Sequence, residues 1–150
     1  MLVARTVTVV VASGILLTLA SCATTSRANL TNAADNLEYN ANALARHAHD
    51  ESARTDYRLR YEHDARALAD DAHDLRRAVD DRAARADVHA SFERLRRSYH
   101  AVRDEVAHSD SVQARRDFGP VTDSYRDVEH ELGVHPDERE VRADRPAAVD

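Results

Sequence analysis

The sequence predicts an all-α protein, an antiparallel up-down-up-down four-helix bundle that follows a cleaved signal peptide. Three observations carry that expectation. The 150 residues include only three Gly, three Pro and one Ile, a composition that favours helix over strand. From about Leu30 to Leu132, apolar residues recur at alternating steps of four and three. The stripes so formed do not share one phase, and each slip marks a break between amphipathic segments. Short antiparallel connections between four such segments describe a bundle. The domain order predicted is a signal peptide over 1–21, a tether over 22–29, the bundle over 30–133 and a tail over 134–150.

The first element reads MLVARTVTVVVASGILLTLAS. One positive charge, Arg5, precedes an apolar stretch from Val7 to Ala20. A membrane span needs about 20 apolar residues, so this stretch is short and reads as an export signal. It closes on Leu19-Ala20-Ser21-Cys22, and Cys22 is the chain's single cysteine, so no intramolecular disulfide exists. These four residues resemble a bacterial lipobox. The resemblance covers the first 22 residues and implies recognition of Leu19, Ala20 and Ser21 by a signal peptidase that cuts before Cys22. It further implies that the Cys22 thiol carries diacylglycerol, with a further palmitate-type acyl chain on the new amino group. Two or three chains, at about 0.8 kcal/mol per buried CH₂, hold a protein firmly on a bilayer. The resemblance also implies an address. Ala23, rather than Asp, points to the periplasmic face of the outer membrane in a Gram-negative cell. In a Gram-positive cell it points to the outer face of the plasma membrane. The alternative is an ordinary signal peptide with an incidental cysteine.

The bundle segments follow in order. The first places Leu30, Leu37 and Leu44 seven apart, with Ala34, Ala41 and Ala48 beside them. Small alanines let that helix lie close to a neighbour. The second stripe is Tyr61, Ala65, Leu68, Ala72, Leu75 and Val79. The third is Val88, Phe92, Leu95, Tyr99, Val102 and Val106. The fourth is Phe118, Val121, Tyr125, Val128 and Leu132. Turns are expected near 50–54, 83–87 and 108–111. Candidate N-caps are Asp50 or Ser52, Asp87, and Ser109 or Asp110. Pro120 either kinks a helix begun near Ser111 or sits in the first turn of one begun near Gly119. Gly133 reads as a helix stop. No periodicity extends beyond it, which predicts a disordered tail. A longer helical hairpin that completes its core by dimerising is the competing architecture.

Two echoes run through these segments. LEYNANALARHAHD (37–50) matches YEHDARALADDAHD (61–74) at an offset of 24, sharing Glu38/Glu62, Ala41/Ala65, Leu44/Leu68, Ala48/Ala72 and His49/His73. FERLRRSYHAVRDEV (92–106) matches FGPVTDSYRDVEHEL (118–132), sharing Phe, Ser, Tyr, Val and Glu. Duplication and convergent heptad patterning both explain such echoes.

Composition excludes some functions. Net charge is −6, and an acidic protein lacks the positive surface that nucleic acid requires. Lysine is absent, so all 21 basic residues are Arg, which a GC-rich coding sequence explains. Of nine histidines, His63, His73, His100 and His130 are expected to point outward; His47 comes near the first stripe and His89 flanks the third. None forms the paired Glu-x-x-His pattern of a bundle metal site. A loose surface site for zinc or copper, joined by His135, is the alternative to solvated histidines. The layout is similar to cytochrome c′ and cytochrome b562, in architecture alone. No Cys-x-x-Cys-His occurs and Met1 is the only methionine, so neither covalent haem nor His/Met ligation is expected. The Leu-Thr-x-x-Gln motif of Spy-type chaperones is also missing. Tyr61, Tyr99 and Tyr125 sit on core stripes, and each hydroxyl is expected to reach an Arg or Asp at the rim.

The expectation is therefore a non-enzymatic envelope lipoprotein without a cofactor, a structural or protein-interaction module. Its expected partners are the membrane, through acyl chains on Cys22, an envelope protein, and a second copy as a homodimer. The alternative is a periplasmic metal- or small-ligand-binding bundle.

Overall fold

Four amphipathic stripes require four helices, and the computed structural model has them. It describes residues 16–52 and 58–134. The helices are α1 (Leu16–Ser52), α2 (Arg58–Asp80), α3 (Arg85–His108) and α4 (Val112–Leu132). There is no strand among the described residues. Around the bundle, α1 packs on both α2 and α4, and α2 packs on α3. The fourth seam, α3 against α4, is the widest.

Every seam is antiparallel, because partner numbers fall along one helix as they rise along the other. Glu38 meets His73 and His49 meets Glu62 between α1 and α2. Arg60 meets Glu105 and Arg94 approaches Asp71 between α2 and α3. Asn40 meets Ser124 and His47 meets Asp117 between α1 and α4. Phe92 meets Tyr125 and Tyr99 meets Phe118 between α3 and α4. The up-down-up-down bundle is thus the fold, with turns at 81–84 and 109–111 that the hairpin alternative lacks.

The core is where the periodicity predicts it. Every residue of the second, third and fourth stripes is buried. On α1, Leu37, Leu44, Ala34, Ala41 and Ala48 are buried and Leu30 is partly so. Seam width follows side-chain size, since interaxial distance is set by the residues at the contact. Alanines 41, 48, 65 and 72 lie in the close α1–α2 seam, while four aromatic rings hold α3 and α4 apart. Periodicity does not reveal the buried polar residues Glu62, Ser91, Ser98, Ser124 and Glu129. Two of the serines satisfy themselves locally. Ser98 donates to the Leu95 carbonyl (2.9 Å) and Ser124 to the Pro120 carbonyl (2.9 Å), so a small hydroxyl is tolerated in the core.

Boundaries differ from expectation in physically readable ways. α1 begins at Leu16, so helical backbone continues through 22–29, where a tether is expected; no Gly or Pro interrupts it there. The N-cap of α3 is Ala84, which has no capping side chain, and Asp87 lies in the first turn rather than at the cap. An acid there still favours the positive end of the helix. Ser109 ends α3, and Ser111 caps α4, accepting the Ala114 N–H at 3.1 Å. Neither Ser109 nor Asp110 is the cap; the Ser109 hydroxyl accepts the Ser111 N–H instead (3.0 Å). Pro120 is therefore inside α4. Of the expected α1–α2 turn at 50–54, residues 50–52 are still helical, so both candidate caps, Asp50 and Ser52, lie within α1, while 53 and 54 lie outside the described residues. The tail from His135 also lies outside them.

Both α2 and α4 end in the same hydrogen-bond pattern. Gly133 is left-handed (φ 67°), its N–H reaching His130 and that of Val134 reaching Glu129. Arg82 occupies the matching position (φ 56°), its N–H reaching Val79 and that of Ala83 reaching Ala78. These are Schellman stops, one with glycine and one with arginine. A side chain in this conformation costs about 1–2 kcal/mol. A Cβ on Gly133 would meet no atom within 4 Å, so any penalty there is backbone strain alone. Accordingly, Arg82→Gly is expected to raise stability by about 0.5–1 kcal/mol and Gly133→Ala to lower it by about 1 kcal/mol. Urea unfolding of the two variants checks the opposite signs.

Candidate functional site

Leu19, Ala20, Ser21 and Cys22, the expected lipobox, lie on the helical backbone of α1; their side chains fall outside the described residues. Five residues on, the Arg27 guanidinium donates to the Val79 carbonyl in the last turn of α2 (2.9 Å). At 1.5 Å per residue, Cys22 stands about 8 Å along the axis from Arg27. The end of the bundle where α2 and α4 finish is thus the end beside Cys22.

A cleft of about 470 Å³ opens at that end. Leu30, Val79, Ala83, Val88 and Leu132 supply its apolar lining, and Arg27, Arg85 and Glu131 its charged groups. It forms where the Arg82 and Gly133 stops end two helices. Among the described residues, neither guanidinium pairs with a carboxylate: Arg27 holds the Val79 carbonyl and Arg85 approaches His89 at 3.4 Å.

A second depression, of about 230 Å³, runs between α1 and α4. Asn29, Asn32 and Asn36 form one wall, Asp127, His130 and Glu131 the other, and Ala33 lines it as well. Steps of three and four put each trio on one flank of its helix. The small Ala33 leaves the space open. One turn further, Asn40 closes the seam, donating to the Pro120 carbonyl (3.1 Å) and to Ser124 Oγ (3.3 Å).

The histidines are less uniformly solvated than expected. His47, His49 and His73 each meet a carboxylate on another helix: Asp117 at 3.1 Å, Glu62 at 2.7 Å and Glu38 at 2.8 Å. His100 is half-buried, its ring edge-on to Tyr99 at 5.5 Å, because its backbone position borders the wide seam. His63, His73 and His130 are exposed as predicted, and His135 lies outside the described residues. Among the described residues, no three His, Cys, Asp or Glu side chains are grouped to hold a metal ion. Near these pairs, Arg76 is held above its ordinary range, first by a hydrogen bond to Asp35 (2.7 Å) and then by the charge of Asp80. Tyr61, Tyr99 and Tyr125 are buried as predicted, and the Tyr99 hydroxyl donates to Thr122 (3.4 Å).

The groove on α1 was not singled out by spacing, yet a sequence signal marks it. All five asparagines of the chain fall between 29 and 42. The GC-rich coding that explains the absence of lysine also disfavours asparagine, so this cluster runs against the composition.

No family model, curated protein or solved structure matches this chain. Among the described residues, no helix is long and apolar enough to cross a membrane.

Asn40 and Asn32 provide a test of which amides serve the fold. Asn40→Ala removes two inter-helix hydrogen bonds and is expected to destabilise by about 0.5–1 kcal/mol. Asn32→Ala removes none and improves helix propensity, so a gain of a few tenths of a kcal/mol is expected. Chemical unfolding of both variants reads the difference.

Proposed function

We propose that the chain is a bacterial envelope lipoprotein, held to the membrane by acyl chains on Cys22. Its bundle serves as a non-enzymatic structural or protein-interaction module, at the periplasmic face of the outer membrane in a Gram-negative cell. The observation that carries the reading is Leu19-Ala20-Ser21-Cys22 at the end of the apolar run Val7–Ala20. The course of α1 supports it. The helix that contains Cys22 continues unbroken into the seams with α2 and α4, so an anchor there would hold the bundle close to the bilayer. At that end, the cleft arginines Arg27 and Arg85 suit the phosphates of lipid headgroups. Asp35, Glu38, His47 and His49 of α1 each meet a side chain on another helix, which suits a scaffold more than a reaction centre. The envelope partner is an unidentified protein, and a second copy is the other candidate. Binding of a small ligand is the second reading, favoured by the Asn-lined groove.

Metabolic labelling with a palmitate analogue tests the anchor. Wild-type chain is expected to take up label and migrate as the processed form. Cys22→Ala is expected to take up none and to keep residues 1–21. Label retained on the variant refutes the lipobox reading. Crosslinking in the native envelope then identifies the protein partner.

A further inference from the structure

We propose that the groove between α1 and α4 binds an N-acetylated saccharide, a neutral ligand that carries hydroxyl and acetamido groups. The inference does not depend on the lipid anchor. It starts from the placement of asparagine. Asn29, Asn32 and Asn36 are exposed on one flank of α1, where asparagine is a poorer helix former than alanine by about half a kcal/mol each. The other two asparagines have structural partners: Asn40 holds α4, and Asn42 donates to the Glu38 carbonyl. Among the described residues, the amides of Asn29, Asn32 and Asn36 hydrogen-bond to no other side chain or carbonyl. Three helix-weakening residues, placed against the coding bias and without a role in packing, line the same depression.

The chemistry of the walls selects the ligand. A side-chain amide donates and accepts at once, so it pairs at two points with another amide and bridges neighbouring hydroxyls. On the facing wall Asp127 and Glu131, the latter 3.5 Å from His130 Nδ1, accept from hydroxyls and disfavour anions. A phosphate or carboxylate ligand would call for guanidinium groups in their place. Ala33 is the single apolar lining residue, which leaves no subsite for an acyl chain or a large peptide side chain. Tyr39 completes the surface. It is 71% exposed, two helical turns beyond Asn32 on the same face, and offers its ring to the C–H face of a sugar. From Asn29 to Tyr39 the stripe extends about 15 Å along the axis. The depression, at 230 Å³, is smaller than the usual drug-sized pocket of about 300–1,000 Å³. It therefore takes one sugar ring, with the rest of the chain lying along the stripe toward Tyr39.

Calorimetric titration of the full-length protein in detergent, with triacetylchitotriose, tests the proposal. Sub-millimolar binding is expected, at least tenfold tighter than for cellotriose, which lacks the acetamido groups. The Asn32→Ala/Asn36→Ala double variant is expected to lose at least tenfold in affinity and Tyr39→Ala at least fivefold. Asn42→Ala should leave it unchanged. Because alanine favours helix, unfolding midpoints of the asparagine variants should not fall. Co-sedimentation with insoluble N-acetylated wall glycan, against the soluble trisaccharide, distinguishes a polymer from a free sugar as the source. No measurable heat at millimolar trisaccharide overturns the proposal, and so does equal binding by the double variant. Tighter binding of an acetylated alanine tripeptide also overturns it and assigns the groove to peptide.

Discussion

Tyr99 and Tyr125 lie face to face between α3 and α4, with ring centroids 3.9 Å apart and planes within 1°. Phe92 flanks the pair on Tyr125 at 5.7 Å, and Phe118 flanks it on Tyr99 at 5.3 Å. The four rings form one continuous stack, and they include both phenylalanines of the chain. Rings of this size cannot enter a close seam, so α3 and α4 stand apart. The alanines of α1 and α2 do the reverse and let those helices approach. The bundle is a consequence of this inequality: large residues on one seam, small ones on the opposite seam, and one register that satisfies both. An aromatic pair adds about 0.5–1.5 kcal/mol beyond its buried area, so the stack also contributes to stability.

The two sequence echoes acquire a physical meaning in this register. Phe92 and Tyr99 recur as Phe118 and Tyr125, and in antiparallel contact each phenylalanine meets the other helix's tyrosine. Glu38 and His49 recur as Glu62 and His73, and again each glutamate meets the other helix's histidine. A motif repeated on two antiparallel helices makes reciprocal contacts, as a two-fold axis would require. Whatever produced the echoes, they specify pairing. The Glu–His contacts are half-exposed and individually weak, so they select register more than they add stability. Polar contacts thus align the alanine seam, where smooth methyl surfaces would permit slippage, while ring shape aligns the aromatic one.

Much of this was legible in the residues. The four-three spacing locates the buried faces of all four helices, because burial depends on side-chain direction alone. The cap at Ala84 and the left-handed Arg82 were not legible. Both are poor choices for their positions, and a reading based on preference points to Asp87 instead. The half-buried His100 lies at a seam formed by rings from both α3 and α4, which no single stripe encodes. For the candidate site, Cys22 stands out by its place after an apolar run. The Asn groove does not, since its second wall comes from Asp127, His130 and Glu131, nearly a hundred residues away in the chain. What the sequence does carry is the crowding of every asparagine into one stretch of α1. Seen with the fold, α1 is a helix of two faces. Its alanine face fixes the bundle, and its amide face is left to solvent or a ligand.

A double-mutant cycle on Tyr99 and Tyr125 tests most directly whether the ring stack sets the bundle. Tyr99→Leu, Tyr125→Leu and the double variant would be compared with the full-length protein by urea unfolding. A coupling energy of about 1 kcal/mol between the two sites is expected, with each single variant already losing the near-ultraviolet signal of packed tyrosine. Additivity of the two substitutions within about 0.3–0.5 kcal/mol, with that signal retained in the single variants, would contradict it.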